Sequence, residues 1–224
     1  MISLVSKLPE ITEPNAEYFK IKALFDMYAG AALFWRQSGG SFISLSDGHM
    51  NIFAENSDTA ELREFVGMLS PESIFSDYET LCAIDRRPNE RVTVMLCSET
   101  VTSAIQSDSL SSREIYELLS AGGLELPEYP FFAVDFCRRL NHGGALYFAL
   151  GGKCAAVSFN TGAFALINGI ASREKGFGSK ALKGIISANR GRKILVCCRE
   201  ELEGFYLKNG FEKLYYAGYW VKNK

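Results

Sequence analysis

Twice in this chain three short strand-like runs, joined by turn residues, lead straight into an amphipathic helix, and that repeated order limits the folds available. In the first half the helical run "NAEYFKIKALFDMYAG" precedes the strands "AALFWRQ", "SFISLS" and "MNIFAE", which are separated by "SGG" and "DG". Turns this short join antiparallel neighbours. The next run, "TAELREFVGML", places Leu62, Phe65, Val66 and Leu69 on one helical face, with Asp58 or Thr59 as N-cap. A strand "SIFS", a short helical run "DYETLCAI" and a strand "RVTVMLCS" complete the half.

The second half spells the same series. "SSREIYELLSA" and "PFFAVDFCRRLNHG" read as helices, with Pro130 in the first turn of the latter and Gly143 beyond its end. "GALYFALG", "KCAAVSFN" and "AFALINGIA" follow as strands joined by "GG" and "NTG". A helix then carries Phe177, Ala181, Leu182, Ile185 and Ile186 on one face, before the strand "KILVCC", the short helix "ELEGFYLKNG" and the terminal strand "FEKLYYAGYWV". A repeat of roughly 100 residues is too long for a solenoid unit. The fold class expected is α/β (α+β), with two related domains at 1–105 and 106–224, each a mixed, mostly antiparallel twisted sheet flanked by helices. The Ser/Thr-rich stretch at 98–112, "SETVTSAIQSDSLSS", is the expected linker.

Length and charge narrow the partners. The 224 residues are 47% hydrophobic and carry a net charge of −2, which gives no general attraction to nucleic acid or to an anionic membrane. The opening residues "MISLVSKLPEITEPN" lack the basic start and apolar run of a secretory signal, and no stretch approaches the ~20 apolar residues of a membrane span, so a cytoplasmic protein is expected. Six cysteines without a C-x-x-C pair, beside only two histidines, read as small buried hydrophobes, with no metal site expected.

The halves differ at one junction. Where the third strand passes to its helix, the first half reads "ENSDT" and the second "SREKGFGSK". A helix N-terminus offers unpaired N–H groups and partial positive charge. Glycines let a ligand approach that backbone, and Arg173, Lys175 and Lys180 add charge. The amides of Lys175, Gly176, Phe177, Gly178 and Ser179 are therefore a candidate seat for a pyrophosphate. No G-x-x-x-x-G-K-[ST] occurs, so a P-loop is excluded. Gly176, Gly178 and Ala181 satisfy G-x-G-x-x-[GA], with Glu200 downstream, but hairpin-joined strands before it and only 24 residues after Glu200 disfavour a doubly wound dinucleotide fold and a nicotinamide oxidoreductase.

The runs "R-E-K-G-F-G-S" and "F-Y-L-K-N-G-F" resemble the signatures of the GCN5-related N-acetyltransferases (GNAT). Arg173, Gly176 and Gly178 match the family's [QR]-x-x-G-x-[GA], and Phe205, Tyr206, Gly210 and Phe211 match its later aromatic-Tyr…Gly-Phe motif. The motifs cover roughly residues 111–224; over 14–98 the resemblance rests on element order, which implies a tandem with a degenerate N-terminal GNAT-like domain lacking the cofactor loop and binding no coenzyme A. The resemblance implies acetyl-CoA as cofactor, with the loop amides on its pyrophosphate and Gly169, Ile170 and Ala171 pairing with the pantetheine arm. It also implies a small-molecule primary amine as acceptor, attacking the thioester directly in a ternary complex, and Tyr206 as the acid that protonates the departing thiolate. The family's asparagine and alanine before that tyrosine are Arg199 and Leu202 here.

Other roles stay open at the level of sequence. Asp135, Glu128, Glu200 and Glu201 are candidate bases or helix-surface ion-pair partners, and His142 is a candidate base or a helix C-terminal residue. The aromatics Tyr215, Tyr216, Tyr219 and Trp220 either wall a pocket or fill the sheet. A non-catalytic acyl-CoA or anion-binding module that recognises a partner is the alternative to an enzyme.

Overall fold

The computed structural model describes residues 1–10, 12–97 and 105–222. In chain order the first half runs β1 (Ile2–Leu4), α1 (Ala16–Tyr28), β2 (Leu33–Gln37), β3 (Phe42–Ser46), β4 (His49–Phe53), α2 (Thr59–Leu69), β5 (Ser73–Asp77), α3 (Tyr78–Ala83) and β6 (Glu90–Cys97). The second runs α4 (Ser112–Ala121), α5 (Tyr129–Asn141), β7 (Ala145–Leu150), β8 (Cys154–Thr161), β9 (Phe164–Ser172), α6 (Phe177–Ala188) and β10 (Lys193–Cys198). After a 3-10 turn at Glu200–Leu202 come α7 (Glu203–Leu207) and β11 (Phe211–Val221). Two compact units result: Met1–Met95 with Cys197–Glu203 and Lys213–Lys224, and Leu96–Val196 with Gly204–Glu212.

In the first unit the strands lie in the order β1-β2-β3-β4-β5-β11-β6. β1 to β4 are successive antiparallel neighbours, and β5 returns parallel to β4 after crossing through α2. The core joins Trp35, Ile43, Met50 and Ile52 of the sheet to Leu62 and Val66 of α2 and to Leu81 of α3. Burying each of these large side chains contributes about 1.5–3 kcal/mol. Strand β1 has only three residues and sets up no alternation that the sequence could reveal.

The second unit repeats the scheme with β7, β8 and β9 antiparallel and β10 parallel to β9 after crossing through α6. Helix α6 lies very close to the sheet: a Cβ on Gly184 would fall 2.3 Å from the Phe148 ring. Ile115, Leu119 and Phe136 of α4 and α5 pack with Val157 and Ala171 of the sheet in a separate cluster. The mixed, mostly antiparallel α/β class expected from the hairpin pattern is the class observed.

The terminal strand corrects the sequence-based division. Expected in a second domain of 106–224, the chain from Lys213 onward belongs to the first unit, where β11 pairs antiparallel with β5 from Ala217↔Asp77 to Val221↔Ser73. Shape explains the choice. A Cβ on Gly218 would lie 2.7 Å from Pro88, Trp220 packs on the first unit's core, and the Tyr219 ring sits 4.7 Å from that of Phe75. The expected linker lies outside the described residues from 98 to 104. Among the described residues no helix is long and apolar enough to cross a membrane.

Candidate functional site

At the glycine stretch the chain leaves β9 at Ser172, and Arg173 N–H closes the hairpin pairing on the Lys153 carbonyl at 2.8 Å. Gly176 is the N-cap of α6 with φ of 86°, a left-handed conformation that side chains resist. Phe177 N–H turns back to the Glu174 carbonyl at 3.2 Å. Among the described residues no side chain caps this helix. Residues 172–176 are exposed, so the loop that leads into the helix is open to solvent, and the first-turn N–H groups lie at its end. Lys180 Nζ lies 4.2 Å and Lys153 Nζ 5.2 Å from the Phe177 ring centroid, and Lys153 pairs with Glu174 at 3.0 Å. Arg173, Lys175 and Lys180 have no carboxylate partner among the described residues, leaving three guanidinium and ammonium charges around uncapped N–H groups. That arrangement attracts a polyanion.

Beside the loop the sheet opens. Parallel pairing of β10 with β9 runs from Lys193↔Phe164 to Val196↔Ile167. On its other edge β9 pairs with β8, with Ser158 opposite Ile167 and Val157 opposite Gly169, so Asn168 is an extra, bulged residue. Gly169, Ile170 and Ala171 continue that pairing with Val157, Ala156 and Ala155. A cavity of about 190 Å³ lies against the bulge, bordered by Asn168 and Gly169, by Leu119, Phe132 and Phe136, and by Asp135. The sequence reading missed Asn168; the signal available was Gly169 inside a strand pattern, a position that weakens a regular strand and often marks a bulge.

Tyr206 is buried, 7% exposed, with its ring 5.1 Å from Phe205 and 5.3 Å from Phe211. Phe205 is the residue that reaches the loop: a Cβ on Gly178 would lie 3.7 Å from its ring and 3.6 Å from Ser172 Oγ. The candidate bases disperse. Asp135 borders the cavity but pairs with Arg139 Nε at 2.9 and 3.0 Å. Glu128 is the exposed N-cap of α5, His142 is that helix's exposed C-cap, Glu201 is exposed, and Glu200 is held by Arg91 in the first unit at 2.8 Å. Of the four aromatics near the C-terminus, Tyr219 and Trp220 fill the first unit's sheet, while Tyr215 and Tyr216 border a cavity in that unit.

The corresponding junction of the first unit is closed by its own side chains. Asp58 caps α2, accepting from Ala60 N–H at 3.0 Å and Glu61 N–H at 3.1 Å. Gln37 secures the turn, donating to the Asp58 carbonyl at 2.9 Å while its Oε1 accepts the Asp58 N–H at 3.1 Å. Where β4 and β5 part beyond Asn51↔Phe75, the buried Ser76 hydroxyl bridges the gap to the Ile52 carbonyl at 2.8 Å.

Mixed sheets flanked by helices in this arrangement recur in solved structures. An acetyltransferase of the GNAT family from Colwellia psychrerythraea superposes with a TM-score of 0.55 at 12% identity, over 99% of this chain and 100% of its own. A GNAT-family protein from Novosphingobium aromaticivorans gives 0.51 at 12% identity, over 87% and 90%. A tandem GNAT protein from the clavulanic acid biosynthesis pathway gives 0.50 at 14% identity, over 96% and 89%. No family model and no curated protein matches the sequence. The chain has the fold of the GCN5-related N-acetyltransferase superfamily.

Proposed function

We propose that the second unit binds acetyl-CoA and transfers its acetyl group to a small-molecule primary amine. The observation that carries this reading is the exposed, uncapped start of α6, flanked by Arg173, Lys175 and Lys180. In this reading the N–H groups of residues 175–179 hold the pyrophosphate, and the glycines at 176 and 178 admit it to the backbone. The edge of β9 at Gly169, Ile170 and Ala171, beyond the last residue paired with β10, receives the pantetheine amides. The apolar cavity against the Asn168 bulge takes the acceptor's carbon skeleton and excludes water from the reacting atoms.

The chemistry is direct displacement. The amine lone pair attacks the thioester carbonyl carbon, the C–S bond breaks, and the amine's extra proton passes to water. Tyr206 returns a proton to the thiolate, a role suited to a phenol that is neutral at pH 7. The first unit, whose α2 start is already filled by Asp58, binds no coenzyme A in this reading.

The test is calorimetry with acetyl-CoA followed by an acetylation assay over an amine panel. Binding with turnover that falls about 100-fold or more in Tyr206→Phe, at unchanged acetyl-CoA affinity, supports the assignment. Absence of binding at millimolar acetyl-CoA overturns it. The burial of Tyr206 and the pairing of Asp135 with Arg139 favour one second reading, a non-catalytic acyl-CoA-binding module. Binding without turnover, with Tyr206→Phe indistinguishable from wild type, would select that reading.

A further inference from the structure

A cavity of about 470 Å³ in the first unit is separate from the glycine loop and has an acidic lining. Its carboxyl groups are Glu17 at the start of α1, Asp77 at the end of β5 and Glu79 in α3; Phe53, Tyr78 and Tyr215 contribute ring surface, and among the described residues no lysine or arginine lines it, while Lys213 and Arg91 cover the ring of the lining residue Tyr216 at 3.7 and 4.5 Å. Its volume falls in the range of small-molecule sites, roughly 300–1,000 Å³.

Glu17 is the unusual member. It is 1% exposed, its Oε2 accepts from the Tyr215 hydroxyl, and its Oε1 has no hydrogen-bond partner. A buried acceptor left unsatisfied costs about 1–3 kcal/mol, so it persists in a native fold where something else satisfies it. The nearest cation on the same helix is engaged elsewhere: Lys20 Nζ donates to the Tyr219 hydroxyl at 2.6 Å and sits 4.0 Å from the Phe75 ring centroid. A metal ion does not fit, because no three His, Cys, Asp or Glu side chains among the described residues come close enough to hold one. Carboxylates spread around aromatic walls suit an organic ammonium, which pairs with one oxygen while its body lies on the rings.

We infer that the first unit carries a binding site for a small organic cation, with the free oxygen of Glu17 accepting the ammonium, Asp77 and Glu79 supplying further negative charge, and the aromatic side chains enclosing the apolar part. The site does not depend on acetyl transfer by the second unit. Burial pushes the Glu17 carboxyl up to about 7, against hydrogen bonds from Tyr215 and from its own backbone N–H, with Asp77 raising it further and Lys20 lowering it. The other titratable groups around it are Tyr78, Glu79 and Tyr216 at the cavity and Cys197 alongside. An ammonium therefore binds the ionised carboxylate and displaces a proton below neutral pH.

The experiment is calorimetry on the full chain without acetyl-CoA, using phenethylamine as probe and 2-phenylethanol as its uncharged counterpart. Binding of the amine alone is expected, weakened about tenfold or more in Glu17→Gln, as for loss of a charged hydrogen bond. A smaller loss is expected in Asp77→Asn, which keeps the cap on α3, and this variant decides if Glu17→Gln does not fold. Wild-type affinity should fall about tenfold from pH 8 to pH 6, with proton release, while the probe stays charged. Equal binding of the alcohol, affinity indifferent to both variants, or no heat at millimolar amine would overturn the inference.

Discussion

Two helices start at the same place in two versions of one scheme, and they treat their free N–H groups in opposite ways. Helix α2 spends its own aspartate: Asp58 occupies the position where an external anion would sit, and Gln37 fixes the turn from both sides. Helix α6 has a glycine in the left-handed region at its N-cap, no capping side chain, and exposed basic neighbours. A capping side chain stabilises a helix by about 1 kcal/mol, so leaving it out is a local loss of stability, of the kind an anion bound at a helix start offsets. The comparison teaches that one repeated scheme can end in a helix start filled by its own side chains in one unit and left open in the other.

The sharpest contrast lies away from both helix starts. The first unit contains a carboxyl group, Glu17, that burial raises from the ordinary glutamate value of about 4.5 to about 7. Below pH 4.5 Glu17 is protonated in the folded and unfolded chain alike; as pH rises to 7 the unfolded chain ionises first, and stability is lost. Thermal or urea unfolding should therefore show Glu17→Gln gaining on wild type between pH 4.5 and 7 by about 3 kcal/mol, then holding constant. Parallel pH profiles for the two proteins would show that this carboxyl is not buried in the folded chain.

Exchanging the caps probes the comparison itself. Gly176→Asp gives α6 a carboxylate where α2 has one, and acetyl-CoA binding measured by calorimetry should weaken about thirtyfold, roughly 2 kcal/mol. Unchanged affinity would place the pyrophosphate elsewhere. In the other direction, Asp58→Ala should lower unfolding stability by about 1 kcal/mol and create no acetyl-CoA site, because Ser76 still bridges the parting strands and the turn has no glycine. Gly178→Ala is the smallest change. The added methyl would meet Ser172 Oγ and Phe205 only at 3.6 and 3.7 Å, so stability should rise by up to about 1 kcal/mol while acetyl-CoA affinity falls several-fold. A variant that gains stability and keeps full affinity would show that no ligand approaches this backbone.

Much of the fold was legible because its signals are local. Hairpin turns, the α2 cap at Asp58 and the amphipathic face of α6 each reside in a few consecutive residues. The glycine loop was legible for the same reason. Long-range choices were not. The pairing of β11 with β5 depends on Gly218 fitting under Pro88 and on Tyr219 meeting Phe75, contacts between residues more than a hundred positions apart. The burial of Glu17 is equally invisible in "NAEYFK", where a glutamate in a helix's first turn reads as ordinary N-terminal charge. The bulge at Asn168 left only a glycine as its trace, and the order of Phe205 and Tyr206 said nothing of which ring would cover the loop.

The central claim is that the open start of α6, and not that of α2, holds the diphosphate of acetyl-CoA. Amide-resolved NMR of the full chain during an acetyl-CoA titration tests it most directly. The account predicts large, saturable shifts for the N–H groups of residues 175–180, with those of 59–61 unmoved; shifts confined to 59–61, or no shifts at 175–180 while the ligand binds, would contradict it.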